Sequence, residues 1–491
     1  MGKFYVTTPI FYVNDKPHIG HAYTIIIADI LARWHRLNGD DVFFLTGTDE
    51  HGEKIQKAAE ARGIAPKQFV DEVVVKYKEA WKKLNISYDK FIRTTDREHE
   101  ESVNKFIERI YEKGDIYKGE YEGWYCVPDE TFLTDSQLVD GKCPMCGREV
   151  KKVKEEAYFF RLSKYRDKIL KFYNENPDFI TPKFRMSEMA NRLEGEVKDL
   201  DITRKSISWA IPFGLDKSHF VYVWIDALTN YISALGWPSG KNFKEFWPAD
   251  VHVIGKEINW FHSVIWPALL MSAGIDLPKR IMVHGWLTVD GKKMSKSLGN
   301  VVDPVAVVDK YSADALRYFL IRSVKLGEDS NFSEKELISK INGELVSDIG
   351  NLLSRTVSMC KKSYKEIDGS IYKETDVDIE KYIDIEKIRG LMDNLMIYEA
   401  LDEILKFIRT LNRYIADKEP WKLNGEQLGV TLYNLLEGLR MFSILIYPFM
   451  PDTALEISRQ IGVEFGTLDD LKFKRIVYKP KIGRHLFKRI D

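Results

Sequence analysis

A strand, a helix and a second strand follow one another at the start of this chain with little between them, and that order constrains the fold most. Residues Phe4 to Val13 form a β-rich apolar run, and Asn14-Asp15-Lys16-Pro17 is a turn. Ile26, Ile30, Leu31 and Trp34 then recur at helical spacing between Ile19 and Leu37, with Asn38-Gly39 as the stop. Asp41 to Thr46 is an apolar strand of the kind buried on both faces of a parallel sheet. The expectation is an α/β fold, a Rossmann-like doubly wound parallel sheet that binds ligands at the carboxyl ends of its strands. Two turns lie at such ends, one leading into His18-Ile19-Gly20-His21, the other Gly47-Thr48-Asp49-Glu50-His51-Gly52.

The 491 residues allow roughly three domains. Residues 119–219 break the strand–helix rhythm with short strand-like pieces, turns and three cysteines, as an inserted module does. The parallel-sheet pattern resumes at Phe220-Val221-Tyr222-Val223-Trp224, at Val251 to Gly255 and at Ile281 to His284. An Asp290-Gly291 turn precedes Lys292-Lys293-Met294-Ser295-Lys296-Ser297, and Asp303-Pro304 starts a helix as cap and first residue. From Ser333 the pattern becomes amphipathic helices, one through Leu337, Ile341, Leu345 and Ile349, another through Leu391, Leu395, Tyr398, Leu401 and Leu405. The expected divisions are 1–118 and 220–277 for the two halves of the sheet domain and 119–219 for the connective insert. The lysine-serine region spans 278–335 and an all-α bundle 336–491.

Hydrophobic residues at 44% and charged residues at 30% suit a globular protein, and a net charge of −1 argues neither for nor against a polyanionic partner. The basic run from Lys472 to Arg489 reads as a solvated tail, with contact to phosphates as the alternative. No apolar stretch approaches the roughly 18–20 residues of a membrane helix, and no leader pattern precedes Phe4. No membrane partner and a cytoplasmic location are therefore expected. Four cysteines in a chain this long direct attention to metal ligation rather than disulfides.

His18 and His21 lie three apart at a helix N-terminus, where free N–H groups and the helix dipole favour anions, and Gly20 admits close approach of a nucleotide. Lys293 and Lys296 add flexible point charges suited to pyrophosphate. Each string alone also fits an ordinary surface feature, a capped helix end or an exposed hairpin. Together, in this order, they resemble the HIGH and KMSKS signatures of class I aminoacyl-tRNA synthetases.

Further blocks sharpen the resemblance to the methionyl-tRNA synthetase family over essentially the whole chain. They are Thr8 to Asn14, Gly47 to Gly52, Asp201-Ile202-Thr203-Arg204, Val223 to Ala227, Gly255-Lys256-Glu257-Ile258 and Trp260-Phe261-His262. The resemblance implies activation of L-methionine by ATP with Mg²⁺ and transfer to the terminal adenosine of tRNA(Met) with a CAU anticodon. It implies catalytic roles for His18, His21, Lys293 and Lys296, with Gly20, Gly255, Lys256 and Glu257 also at ATP. Asp49 would meet the methionine ammonium and Arg204 its carboxylate. Ile10, Tyr12, Trp224, Ala227, Leu228, Tyr231, Ile258 and His262 would line the thioether pocket, and Asn351, Arg355 and Trp421 would read the anticodon. Many family members append an OB-fold tRNA-binding domain, so a separate chain of that kind is a further candidate partner.

Cys143-Pro144-Met145-Cys146-Gly147 has the shape of a zinc knuckle. Where the family often has a second Cys-x-x-Cys, this chain reads Cys126-Val127-Pro128-Asp129, so the expected site is Cys126, Asp129, Cys143 and Cys146 around a structural Zn²⁺ distant from the chemistry. Three alternatives stay open at this level: another class I synthetase without an editing domain, a non-catalytic tRNA-binding homologue, and a small-molecule adenylyltransferase.

Overall fold

The computed structural model describes residues 2–127, 131–133, 135–205, 207–289, 291–294, 299–372 and 379–491. Its centre is a parallel sheet of seven strands: β1 Lys3–Thr7, β2 Phe11–Tyr12, β3 Asp41–Asp49, β4 Lys90–Arg93, β5 Ile180–Thr181, β6 Val251–Gly255 and β7 Ile281–His284. β3 pairs with β1 and β2 along one edge and with β4 along the other, while β1 also pairs with β6, followed by β7 and β5. Chain order therefore reverses between β1 and β6, where Val6 meets Val251 and Thr7 meets His252. A crevice opens at the carboxyl ends of strands at such a switch point.

The helix Ile19–Leu37 has the bounds its periodicity predicts. The run from Phe4 to Val13 is not one strand: Thr8 to Ile10 separate β1 from β2, because Pro9 has no N–H for the ladder. Gly47 is needed where β3 passes β4, since a Cβ there would stand 2.1 Å from the Ile92 carbonyl oxygen. The expected strand from Phe220 to Trp224 is also corrected. Only Phe220–Val221 is extended, antiparallel to Thr203–Arg204, and Val223–Ser233 is a helix. Its polar stripe, Asp226, Thr229, Asn230 and Ser233, is buried with the rest, so the helix shows the period of its face but no solvent side.

Strands Ile116–Cys126, Thr131–Leu133, Lys151–Phe160 and Leu200–Asp201 form an antiparallel sheet, whose first strand starts three residues ahead of the expected insert, 119–219. The same stretch returns β5 to the central sheet beside β7, so it is not wholly separate from it. After β7, Leu287–Val289 pairs with Lys292–Lys293 across Gly291, whose φ of +74° suits a glycine turn.

The C-terminal part is helical, with Asn351–Ser363, Ile397–Lys418, Gly425–Ile446 and Pro451–Ile461 packed around one another. The helix expected through Leu391 to Leu405 is two, Ile385–Asp393 and Ile397–Lys418, broken where Leu395 adopts a φ of +61°. Gly425–Ile446 corrects the membrane reading: its 22 residues reach the length and mean hydropathy (1.2) of a spanning helix. Its apolar window is 100% buried in the protein, which makes it the core helix of the bundle. The charges of the basic run are solvated, Lys472, Arg475, Lys479, Lys481, Arg484, Lys488 and Arg489 being exposed. The chain that carries them packs through buried Tyr478 and through two hydrogen bonds between Asn342 and the Ile490 backbone.

Candidate active site

A cavity of about 660 Å³ opens at the carboxyl ends of the central strands. Its lining includes Ile10 and Tyr12 after β1, Asp49 at the end of β3, Gly255, Glu257 and Ile258 after β6, and His284 closing β7. His18, Gly20 and His21 enter from the helix Ile19–Leu37. Trp224, Ala227, Leu228 and Tyr231 enter from Val223–Ser233, spaced as one face of a helix.

His18 caps its helix: Nδ1 accepts the Gly20 N–H at 3.1 Å, and His21 Nδ1 accepts the His18 N–H at 3.4 Å. The rings stack with centroids 3.7 Å apart. Because both Nδ1 atoms accept, the proton of each neutral ring belongs on Nε2, leaving two N–H donors. Burial lowers His18 to about 4, against the opposing pull of Glu257 and Asp15, and burial together with His18 holds His21 well below the ordinary value. A Cβ on Gly20 would stand 3.0 Å from the His18 ring, so glycine lets the imidazole lie across the helix start.

Of the lysine-serine string, Met294 comes beside this pair, its methyl 3.6 Å from where a Cβ on Gly20 would stand. Lys16 pairs with Asp303 at 2.7 Å and the Ile19 N–H donates to the Val302 carbonyl, tying the turn before the histidines to the chain after that string. Met294 lines the cavity. Lys293 takes part in the hairpin ladder through its backbone. Ser295, Lys296 and Ser297 lie outside the described residues, as does Asp129.

The turn Gly47 to Gly52 divides its labour. Asp49 lines the cavity, whereas Glu50 is buried in a two-pronged ion pair with Arg93 at 2.7 and 2.8 Å. His51 Nδ1 meets Asp226 at 2.6 Å, and Asp226 also holds His99 Nε2 at 2.7 Å. Burial raises Asp226, but His51 and His99 outweigh it and its carboxyl stays lowered, while the same carboxylate raises His51. This buried cluster fastens the helix carrying Trp224 and Tyr231 to the turn carrying Asp49.

At the aromatic end, Trp224 stacks on Phe261 at 3.7 Å and 10°. Phe261–Ile265 is a π-helical stretch, whose widened turn carries His262. His262 Nδ1 bonds the Ile258 carbonyl at 3.0 Å, so Nε2 accepts from the Tyr231 hydroxyl at 2.6 Å. Burial lowers His262 to about 4, so this ring is neutral. A neutral, mostly aromatic recess with one hydroxyl suits a thioether.

Two of the expected residues stand apart from the lining. Arg204 is buried against Asp201 at 2.7 Å, with its guanidinium 4.3 Å from the Tyr222 ring. Lys256 pairs with Asp329 at 2.7 Å and lies over Trp286, whose indole N–H donates to Glu257 at 2.9 Å. The lining also holds residues that sequence reading did not single out, among them Arg192, Asn230, His284 and Trp286. His284 carried a signal, since it ends a parallel strand; Arg192 carried none.

Cys126, Cys143 and Cys146 bring their sulfurs within 4.8 Å of one another, Cys126 to Cys146 at 3.6 Å. Tetrahedral zinc with bonds of about 2.3 Å sets its sulfurs about 3.8 Å apart, so the three thiols fit that ion. The cluster is not distant from the cavity, as the sequence had suggested: Pro144 and Met145 of the knuckle line it. Far from it in sequence, Asn351 and Arg355 start the helix Asn351–Ser363, and the Arg355 guanidinium lies 5.6 Å from the ring of Trp421, which is 54% exposed.

The family model described as tRNA synthetases class I (M) matches residues 4–154 and 148–357. A methionine–tRNA ligase of Caldanaerobacter subterraneus subsp. tengcongensis is 51% identical over 504 residues, covering 99% of this chain and 79% of the relative. That of Thermotoga maritima is 49% identical over 506 residues, covering 100% and 80%. The Mycobacterium tuberculosis methionyl-tRNA synthetase in complex with methionyl-adenylate superposes with a TM-score of 0.95 at 39% identity, covering 99% of this chain and 100% of that one. Its apo form gives 0.87 at 37% identity, covering 100% and 99%. With the histidine pair, the carboxylate turn and the aromatic recess in one cavity, the chain belongs to the methionyl-tRNA synthetase family of class I tRNA synthetases.

Proposed function

We propose that this chain activates L-methionine with ATP and Mg²⁺ and transfers it to the 2′-hydroxyl of the terminal adenosine of a CAU-anticodon tRNA(Met). The observation that carries the reading is one cavity holding a stacked histidine pair at a helix N-terminus, the Asp49 carboxylate and the Tyr231–His262 pair. In the first step a methionine carboxylate oxygen attacks the α-phosphorus and pyrophosphate leaves with its bridging oxygen. The nucleophile is already ionised, so the protein's work is positioning and charge stabilisation. Neutral His18 and His21 offer N–H donors to phosphate oxygens, and Lys293 and Lys296 supply the permanent charge. Asp49 selects an ammonium group, and Gly255 and Glu257 take adenosine, the carboxylate receiving ribose hydroxyls. Ile10, Tyr12, Trp224, Ala227, Leu228 and Ile258 enclose the thioether while Tyr231 and His262 face its sulfur. In the second step the 2′-oxygen attacks the carbonyl carbon and AMP leaves.

Given their positions, Arg204 and Lys256 support the site: Arg204 braces the connective strands, and Lys256 fixes Trp286 beside Glu257. Cys126, Cys143 and Cys146 would hold Zn²⁺ with Asp129, which would order the knuckle. The bundle, with Asn351, Arg355 and Trp421 exposed together, would read the anticodon, Trp421 stacking an unpaired base. A separate OB-fold chain is a candidate tRNA-binding partner, and the cytoplasm the expected location.

ATP–pyrophosphate exchange across a panel of amino acids, followed by charging of a CAU-anticodon tRNA, tests the reading. Methionine should support the fastest exchange. A better second amino acid, or no charging of that tRNA, would reject it.

A further inference from the structure

Among the described side chains that line the cavity, Arg192 is the one lysine or arginine. It sits in the last turn of the helix Lys183–Glu194, exposed at the rim, with its guanidinium carbon 3.8 Å from the centroid of the Trp260 ring. No hydrogen bond or ion pair to it occurs among the described residues, and its titration is displaced by desolvation alone, with no charged neighbour contributing. Its described ring partner is Trp260, whereas the rings of His18 and His21 stack on one another at the helix start.

Its helix is anchored: the Arg185 carbonyl accepts from Asn259, and Arg185 donates to the Gly327 carbonyl at 2.5 Å. The anchored helix thereby sets the guanidinium of Arg192 over Trp260. A guanidinium that lies over an indole, and makes no hydrogen bond among the described residues, keeps N–H donors for the fork that takes a phosphate in two bonds. The reaction brings two kinds of phosphate to the enzyme. One is the triphosphate at the histidines; the other is the backbone of the single-stranded tRNA end that must enter the cavity mouth.

We propose that Arg192, laid over Trp260 at the mouth of the cavity, grips a backbone phosphate of the tRNA acceptor end during transfer. This rests on the functional reading above. Arg192 serves the second step by binding the strand, and it takes no part in adenylate formation.

Arg192→Gln keeps a stem over Trp260 and removes the charge; Arg192→Lys keeps the charge and loses the fork. Exchange and tRNA charging are to be measured for both, with KM for tRNA followed against salt. Arg192→Gln should raise the ratio of exchange to charging about tenfold, the worth of one charge-assisted contact. It should also lower the slope of log KM against log salt by about 0.7, one single-strand phosphate contact. Arg192→Lys should keep the parent slope and fall between the two in KM. Equal loss of exchange and charging, or an unchanged salt slope in Arg192→Gln, overturns the proposal. A parent chain that charges no tRNA overturns the functional reading together with it, whereas a charging parent matched by Arg192→Gln overturns this proposal alone.

Discussion

Asp29 and Arg317 meet in a 2.7 Å ion pair from which water is excluded, neither side chain being exposed. Asp29 lies on the helix whose start carries His18 and His21, and Arg317 donates to the Pro448 and Phe449 carbonyls just beyond the core helix of the bundle. Arg33 and both donors of Ser87 complete the carboxylate. The helix that starts at the histidine pair and the bundle are therefore joined through one saturated buried anion.

Removing one partner of such a pair strands the other, at about 3–5 kcal/mol. Asp29→Ala should lower the thermal unfolding temperature by several degrees in calorimetry, and a variant as stable as the parent would remove this pair from the account. Burial raises the Asp29 carboxyl, but Arg317 and Arg33 outweigh it and its pKa is lowered. Its stabilisation is thus complete above the ordinary carboxylate value and is lost as pH falls through the folded value below 3.8. Arg317→Met should weaken that acid-side dependence, since Arg33 and Ser87 still hold the carboxylate.

The histidine pair makes a prediction of opposite character. With His18 near 4 and His21 held well below the ordinary imidazole value, both rings are neutral donors at physiological pH. Pyrophosphate exchange should hold its rate from pH 8 to about 5.5, and an acid limb centred on the ordinary imidazole value near 6.5 would contradict the neutral-donor mechanism. Between 6.5 and about 4 the unfolded chain binds a proton that folded His18 refuses, so stability falls as pH falls through that window. His21→Ala should cost about a hundredfold in exchange kcat, the scale of losing one preorganised donor.

Arg355 and Trp421 do not line the cavity and are adjacent to one another. Trp421→Ala should spoil charging through the KM for tRNA, by about 1–3 kcal/mol for a lost stacking surface. Comparable damage to pyrophosphate exchange would show that Trp421 supports the fold instead. In a double-mutant cycle on KM, Arg355→Gln and Trp421→Ala should couple by about 0.5–1 kcal/mol, the value of an exposed cation–π contact.

How far the sequence could be read depended on whether a residue's work is local. The helix Ile19–Leu37 was legible because its apolar period and its stop are written in neighbouring residues. Val223–Ser233 was not, since Val223-Trp224-Ile225 continues the apolar run from Phe220 and mimics a strand, although Asp226, Thr229, Asn230 and Ser233 keep a helical period. The break at Leu395 depends on a left-handed conformation that a leucine adopts only under tertiary constraint. Asp49 was recognisable in its block, but the division of work among Asp49, Glu50 and His51 depends on Arg93 and Asp226, partners from other elements. Arg192 belongs to no motif, and only its place over Trp260 distinguishes it.

The knuckle supplies a last test, because its tip reaches the substrate cavity. Pro144 and Met145, held between Cys143 and Cys146, line the cavity, so loss of the metal should loosen part of that wall. Elemental analysis of the purified protein should give about one zinc ion per chain, and Cys143→Ser should abolish it, since three converging thiols with a fourth ligand make a closed structural site. The same variant should raise the KM for methionine in exchange while leaving kcat within about threefold, the signature of lost substrate binding rather than lost transition-state contacts. Asp129→Ala should weaken zinc retention against a chelator without emptying the site at neutral pH. Full zinc occupancy in Cys143→Ser would exclude these cysteines as the ligands. Parent-like methionine KM in a zinc-free Cys143→Ser protein would instead show that the wall formed by Pro144 and Met145 keeps its shape without the metal.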